Sequence, residues 1–200
     1  PFCRQYPQVE VELNIANRSE VIRRLEDNRD DLYVFSQPPR HLDLDVVPLA
    51  DNPLVVIAAP SHPLARLAAV PLARLAREVL VVREPGSGTR AAMERHFAQR
   101  GIEPRAGCEL SSNEAIKQAV QAGLGLGVVS AQTLELELET RRLVVLPVES
   151  FPILRHWYVV HRRHKRLSPA AAALRSLLLA HDPQATQLPR ARRRPVRRGG

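Results

Sequence analysis

The sequence predicts an α/β fold made of two similar lobes, and three observations carry that expectation. The order strand, helix, strand occurs twice along the chain. Apolar runs of strand length lie between the two occurrences, and 200 residues are enough for two small lobes that each bury a core.

Val9, Val11, Leu13 and Ile15 alternate with Glu10, Glu12 and Asn14, the period of a half-buried strand. Asn17 and Ser19 then offer N-caps to a helix carrying Val21, Ile22 and Leu25 on one face and ending near Asn28. Asp31 to Phe35 reads as the next strand, and the short links predict a parallel strand–helix–strand unit. The continuous runs Leu54 to Ala59 and Val79 to Val82 are further strands. The second leads through Pro85, Gly86, Ser87, Gly88, Thr89 and Arg90 into a helix from about Ala91 to Arg100. The second unit comprises a strand at Cys108 to Leu110, polar Ser111, Ser112 and Asn113, a helix with Ala115, Ile116, Ala119 and Val120 inward, and a strand at Leu126 to Val129. Leu143 to Leu146 and Trp157 to His161 complete the strands. Ser168 caps, and Pro169 opens, a helix reaching about Ala180. From Asp182 onward Pro, Gln, Arg and Gly dominate without periodicity, which predicts a disordered basic tail over 181–200.

That tail explains the charge. Arg190, Arg192, Arg193, Arg194, Arg197 and Arg198 account for six of the eight net positive charges and leave +2 on the rest of the chain. The folded part is therefore nearly balanced and carries no basic footprint for nucleic acid. Aromatic residues, at 4%, are too few for a base-stacking platform. Cys3 and Cys108 stand far apart and read as reduced structural thiols, and no apolar run reaches the roughly 20 residues of a membrane span. A membrane is accordingly not expected as a partner.

The segment Gly86-Ser87-Gly88-Thr89-Arg90 follows a strand and opens a helix, where backbone N–H groups and the positive helix end attract an anion. Two glycines allow close approach, two hydroxyls can donate and Arg90 adds a charge. With no third glycine and no Gly-Lys pair, an anion site and a plain capping turn remain equally compatible with the local sequence. Gly123, Gly125 and Gly127 stand in the reverse order, helix before strand, and read as a helix stop and tight turn. Asn17, Arg18 and Ser19, like Ser111 to Asn113, lie between a strand end and a helix start, where open α/β sheets bind ligands. Each is also explained as a cap. Lys117, one turn into its helix, either reaches such a cleft or is simply solvated. The seven histidines show no metal-ligand spacing, no nucleophile elbow occurs, and His161 to Arg166 reads as a solvated basic turn. No catalytic residue, metal or cofactor is expected.

In that order, several segments resemble the effector-binding domains of LysR-type transcription regulators. They are Phe2 with Tyr6, Pro7 and Val9 to Val11; Asn17 to Glu20; Asp31-Leu32; Asp51 to Val55; His62 to Ala65; Arg83 to Arg90; and Ala122 to Gly125. Leu25 to Asn28, Gln37 to Pro39, Asp51 to Pro53, Ser111 to Val120, Leu136 to Glu139 and Trp157 to Arg163 look like the branch that controls carbon dioxide fixation operons. The resemblance implies two Rossmann-like lobes joined by two crossover strands, as in type 2 periplasmic binding proteins. Lobe one would be residues 1–55 plus 155–180 and lobe two residues 56–154. It implies a small anionic, phosphate-bearing effector between the lobes, held by Asn17, Arg18, Ser19, Gly86, Ser87, Gly88, Thr89, Arg90, Asn113 and Lys117. It further implies a cytoplasmic homodimer or homotetramer that reaches DNA through an N-terminal winged helix-turn-helix. That module and the first lobe's opening strand do not occur in this sequence, so the chain alone is not expected to bind an operator. Two other readings share part of this pattern: a periplasmic-type solute-binding protein, which shares the cleft, and a small transferase, which would need a general base in it.

Overall fold

In the computed structural model, residues 1–180 are described. The chain runs α1 (Phe2–Gln5), α2 (Arg18–Glu26), β1 (Tyr33–Phe35), β2 (Leu44–Asp51), β3 (Leu54–Ala58), α3 (Leu72–Leu75), β4 (Val79–Arg83), α4 (Gly88–Ala98), β5 (Arg105–Leu110), α5 (Asn113–Gln121), β6 (Leu126–Ser130), α6 (Glu135–Glu139), β7 (Val144–Val145), β8 (His156–Arg162) and α7 (Pro169–Ala180). The strands form two sheets, one ordered β1-β8-β2 and one ordered β5-β4-β6-β3-β7. The tail expected over 181–200 lies outside the described residues.

The larger sheet follows from its sequence. β4 pairs parallel with both β5 and β6, so α4 and α5 are crossover helices that cover the sheet. β3 and β6 are buried along their whole length, as their unbroken apolar runs require of strands covered on both faces. Leu80, Val82, Met93 and Phe97 pack on one side of the sheet, and Ile57, Val81, Ile116 and Val120 on the other. Gly125 has φ +147, and a Cβ there would collide with the Val79 carbonyl, so glycine is required where the chain turns from α5 into β6.

The smaller sheet corrects two expectations. Val9 to Ile15 forms no strand: Leu13 and Ile15 are 80% and 89% exposed, and the segment hydrogen-bonds to no strand among the described residues. Alternation fixes which side chains share a face, but a strand also needs a partner for its N–H and C=O groups, which the pattern does not supply. The expected parallel first unit is therefore not formed, and β1 instead pairs antiparallel with β8. β2, which the sequence reading passes over, pairs antiparallel with the other edge of β8. Its Pro48 interrupts the strand signature, and the register shifts between Pro48 and Ala50. Proline is tolerated because β2 is an edge strand. α2 closes this sheet by burying Leu25 against Tyr33, Phe35, Leu44 and Val160.

Candidate functional site

The C-terminal ends of β4, β5 and β6 point the same way because the three strands are parallel. Each end delivers polar residues to one place: Arg83 and then Ser87 to Thr89 from β4, Asn113 from β5, and Ser130 from β6. These residues form one wall of a cleft of about 350 Å³. Glu12 to Arg18, Val21, Leu32 to Ser36, Arg155 and Trp157 form the rest.

Local structure explains the helix starts. Asn17 caps α2 by accepting from the Glu20 N–H at 3.0 Å, and Ser112 caps α5 by accepting from the Ala115 N–H at 3.1 Å. Ser87, buried, caps α4 by accepting from the Thr89 N–H at 3.3 Å. That helix begins at Gly88, three residues before the expected start, so Thr89 sits in its first turn. Gly86 has φ +86, and a Cβ there would meet Ser19 Oγ at 2.7 Å. Only glycine lets this loop of the larger sheet approach α2 of the smaller one.

Electrostatics separates the cations. Arg18 lines the cleft, donates through Nε to the Gln37 carbonyl at 3.0 Å and has no carboxylate partner among the described residues. Burial, and then the neighbouring Arg95, depress its pKa. Arg155 is the stronger case: burial and Arg95 push its pKa down to about 10, and it too lacks a carboxylate partner among the described residues. Arg83 also lines the cleft but is neutralised by Glu84 at 2.8 Å, and its Nη1 donates to the Asn113 side-chain oxygen at 3.1 Å. Glu12 is the carboxylate in the lining, and it accepts from Asn14 at 2.8 Å.

Of the residues expected from the sequence, Asn17, Arg18, Ser87, Gly88, Thr89 and Asn113 line the cleft together. Ser19 and Gly86 face each other at its margin. Two expectations are corrected. Arg90 is not in the lining: its guanidinium pairs with Glu94 at 2.8 Å and Glu109 at 2.5 Å, and these two bonds hold its pKa up. Lys117, 4% exposed, lies in a separate depression, where its ammonium meets Glu114 at 2.7 Å, Glu137 at 2.8 Å and the Thr133 carbonyl at 2.8 Å. Burial opposes that charge, but the two carboxylates outweigh it and keep the pKa raised. The sequence reading misses Arg155, Ser130, Ser36 and Trp157. Ser130 could have been found as the C-terminal end of a strand; Arg155 had no local signal and is placed only by the pairing of distant segments.

Two sheets joined by paired crossover segments, with a polar cleft at the junction, define a two-lobed ligand-binding module of the type 2 periplasmic-binding kind. The chain belongs to the LysR substrate binding domain family, whose description its residues 1–183 match. It is 52% identical over 179 residues to the RuBisCO operon transcriptional regulator of Allochromatium vinosum, covering 90% of this chain and 59% of that protein. It is 44% identical over 181 residues to the HTH-type transcriptional activator CmpR of Synechocystis, covering 90% of this chain and 60% of that protein. The chain thus spans somewhat less than two thirds of these relatives. Among solved structures, the Synechocystis CcmR regulatory domain in complex with 2-PG superposes with a TM-score of 0.86 at 42% identity, over 90% of this chain and 86% of that one.

Proposed function

We propose that this chain is the effector-sensing part of a LysR-type transcription regulator of carbon-fixation genes, and that its cleft binds a small, multiply anionic, phosphate-bearing metabolite. One observation carries the reading: Arg18 and Arg155, half-buried and without carboxylate partners among the described residues, share the cleft with the N-terminal turn of α4. Two desolvated cations beside a helix N-terminus are costly alone and favourable around an anion. The similarity to a domain solved with 2-PG and to a RuBisCO operon regulator supports the class of ligand and of target genes.

In this reading the lobes are residues 1–55 with 155–180, and 56–154. The chain acts in the cytoplasm as part of a homodimer or homotetramer, and DNA is reached through a winged helix-turn-helix in the longer protein. The domain catalyses nothing: the effector stabilises one lobe arrangement and so shifts a population. Trp157, the single tryptophan, lines the cleft and supplies the readout. Titration with 2-phosphoglycolate, glycolate, inorganic phosphate and glucose, followed by Trp157 fluorescence and calorimetry, should show 2-phosphoglycolate binding most tightly and weakening with added salt. Binding confined to the neutral sugar, or binding insensitive to salt, would contradict the proposal.

A further inference from the structure

Arg155, in the cleft wall, belongs to one of the two segments that join the sheets. Leu54 and Ile153 exchange backbone hydrogen bonds of 2.9 Å in both directions, and the Asn52 N–H donates to the Arg155 carbonyl at 2.7 Å. Asp51 to Leu54 and Ile153 to His156 are the segments that join the two sheets, so a change in the angle between the sheets must rotate about them. Arg155 stands on this axis and touches both sides. Its Nη1 donates to Ser36 Oγ at 3.4 Å, at the end of β1, and to the Gly88 carbonyl at 3.2 Å, at the start of α4. Both bonds are long for a guanidinium. Among the described residues, Arg155 Nε is buried without a partner. So are Ser130 Oγ, in a residue 4% exposed, and both side-chain atoms of Asn52, which is 0% exposed. Buried polar groups without partners are rare and costly, and here three residues carry them around one hinge.

Resting on the effector reading above, we infer that Arg155 is the residue through which the cleft senses charge. An anionic group seated against its guanidinium draws the Ser36 and Gly88 sides together at the hinge, so that binding and lobe closure are one event and a doubly charged group is preferred to a singly charged one. With Nη1 turned to Ser36 and Gly88, the guanidinium still has Nη2 to meet a phosphate, whereas a lysine ammonium is a single point charge with no second nitrogen to offer.

The test compares the full chain with Arg155→Met and Arg155→Lys, by calorimetry with 2-phosphoglycolate and with glycolate, and by small-angle scattering with and without 2-phosphoglycolate. Wild type should prefer 2-phosphoglycolate and contract on binding it. Arg155→Met should lose about 10- to 150-fold in affinity for 2-phosphoglycolate, the fold-change of one lost charge-assisted bond. It should lose little for glycolate and should not contract. Arg155→Lys, which keeps the charge and guards against a folding defect in the first variant, should recover part of the preference but not the contraction. If wild type binds neither anion, the effector reading falls and this inference with it. If wild type binds and either variant keeps both the full preference and the contraction, the inference alone is overturned.

Discussion

Arg18 and Arg90 are equivalent in the sequence, each a basic residue in the polar cluster that opens a helix, and folding separates them. Arg18 keeps its charge at the cleft with no carboxylate partner among the described residues, while Arg90 points to Glu94 and Glu109 and is neutralised there. Arg90→Ala should therefore leave affinity for 2-phosphoglycolate within about twofold. It should lower the melting temperature by no more than about 2–4 °C, the scale of a partly exposed ion pair in a domain of this size. Thr89 is the opposite case. Its N–H is already taken by Ser87 Oγ, which leaves the hydroxyl as the group available to a ligand. Thr89→Val keeps the shape, and calorimetry should show affinity weakened by about 0.5–1.5 kcal/mol, or about 1.5–3 kcal/mol if the hydroxyl meets an ionised oxygen. An unchanged affinity would reduce Thr89 to a helix residue. Residue-scale reading thus found the helix-opening half of the cleft, because capping chemistry is local. It missed Arg155, whose role arises from pairing across more than a hundred residues.

At the scale of elements, the four longer helices, α2, α4, α5 and α7, and the doubly covered strands were legible. Their signals, the 3.6-residue face of α5 and the unbroken apolar run of β3, are contained within the element. The edges of the smaller sheet were not, since β2 carries a proline and Val9 to Ile15 carries the right pattern without a partner. α4 links the cleft to the hinge from its far end as well. His96, buried near its C-terminus, is hydrogen-bonded to Ser150 Oγ at 2.9 Å and receives Arg100 Nη1 on Nδ1 at 3.3 Å, while its ring stacks edgewise on Phe151. An arginine can only donate, so Nδ1 must be unprotonated and His96 neutral. Burial, and then Arg100, lower its pKa. The unfolded imidazole titrates near about 6.5. Below that pH the unfolded chain takes up a proton that the folded chain refuses, so stability is present above it and falls with decreasing pH. Melting curves from pH 7.5 to 5.5 should show this loss in wild type and a shallower one in His96→Gln, which keeps a donor for Ser150. Identical slopes would remove His96 from the pH response.

At the scale of the whole molecule, the two-lobed plan was legible from the apolar strands and crossover helices of the larger sheet and from the family resemblance, although the parallel first unit expected from Val9 to Phe35 is not formed. The pattern could not place Arg155 in the cleft wall, because its segment is positioned by pairing with the distant Asn52 to Leu54. A hinge of two short paired segments is compatible with alternative lobe angles, and an effector that favours one angle moves the population between them. Moving it from 1:99 to 99:1 requires a differential affinity of about 5.5 kcal/mol. Two desolvated arginines without carboxylate partners among the described residues, met by one dianion, are a source of the right sign. The most direct measurement is a crystal structure of the chain grown with 2-phosphoglycolate. Phosphate density is expected between the sheets, within hydrogen-bond distance of Arg155 and of the first turn of α4 at Thr89. Density seated instead in the groove of His41, Arg162 and Lys165, or none at saturating ligand, would contradict it.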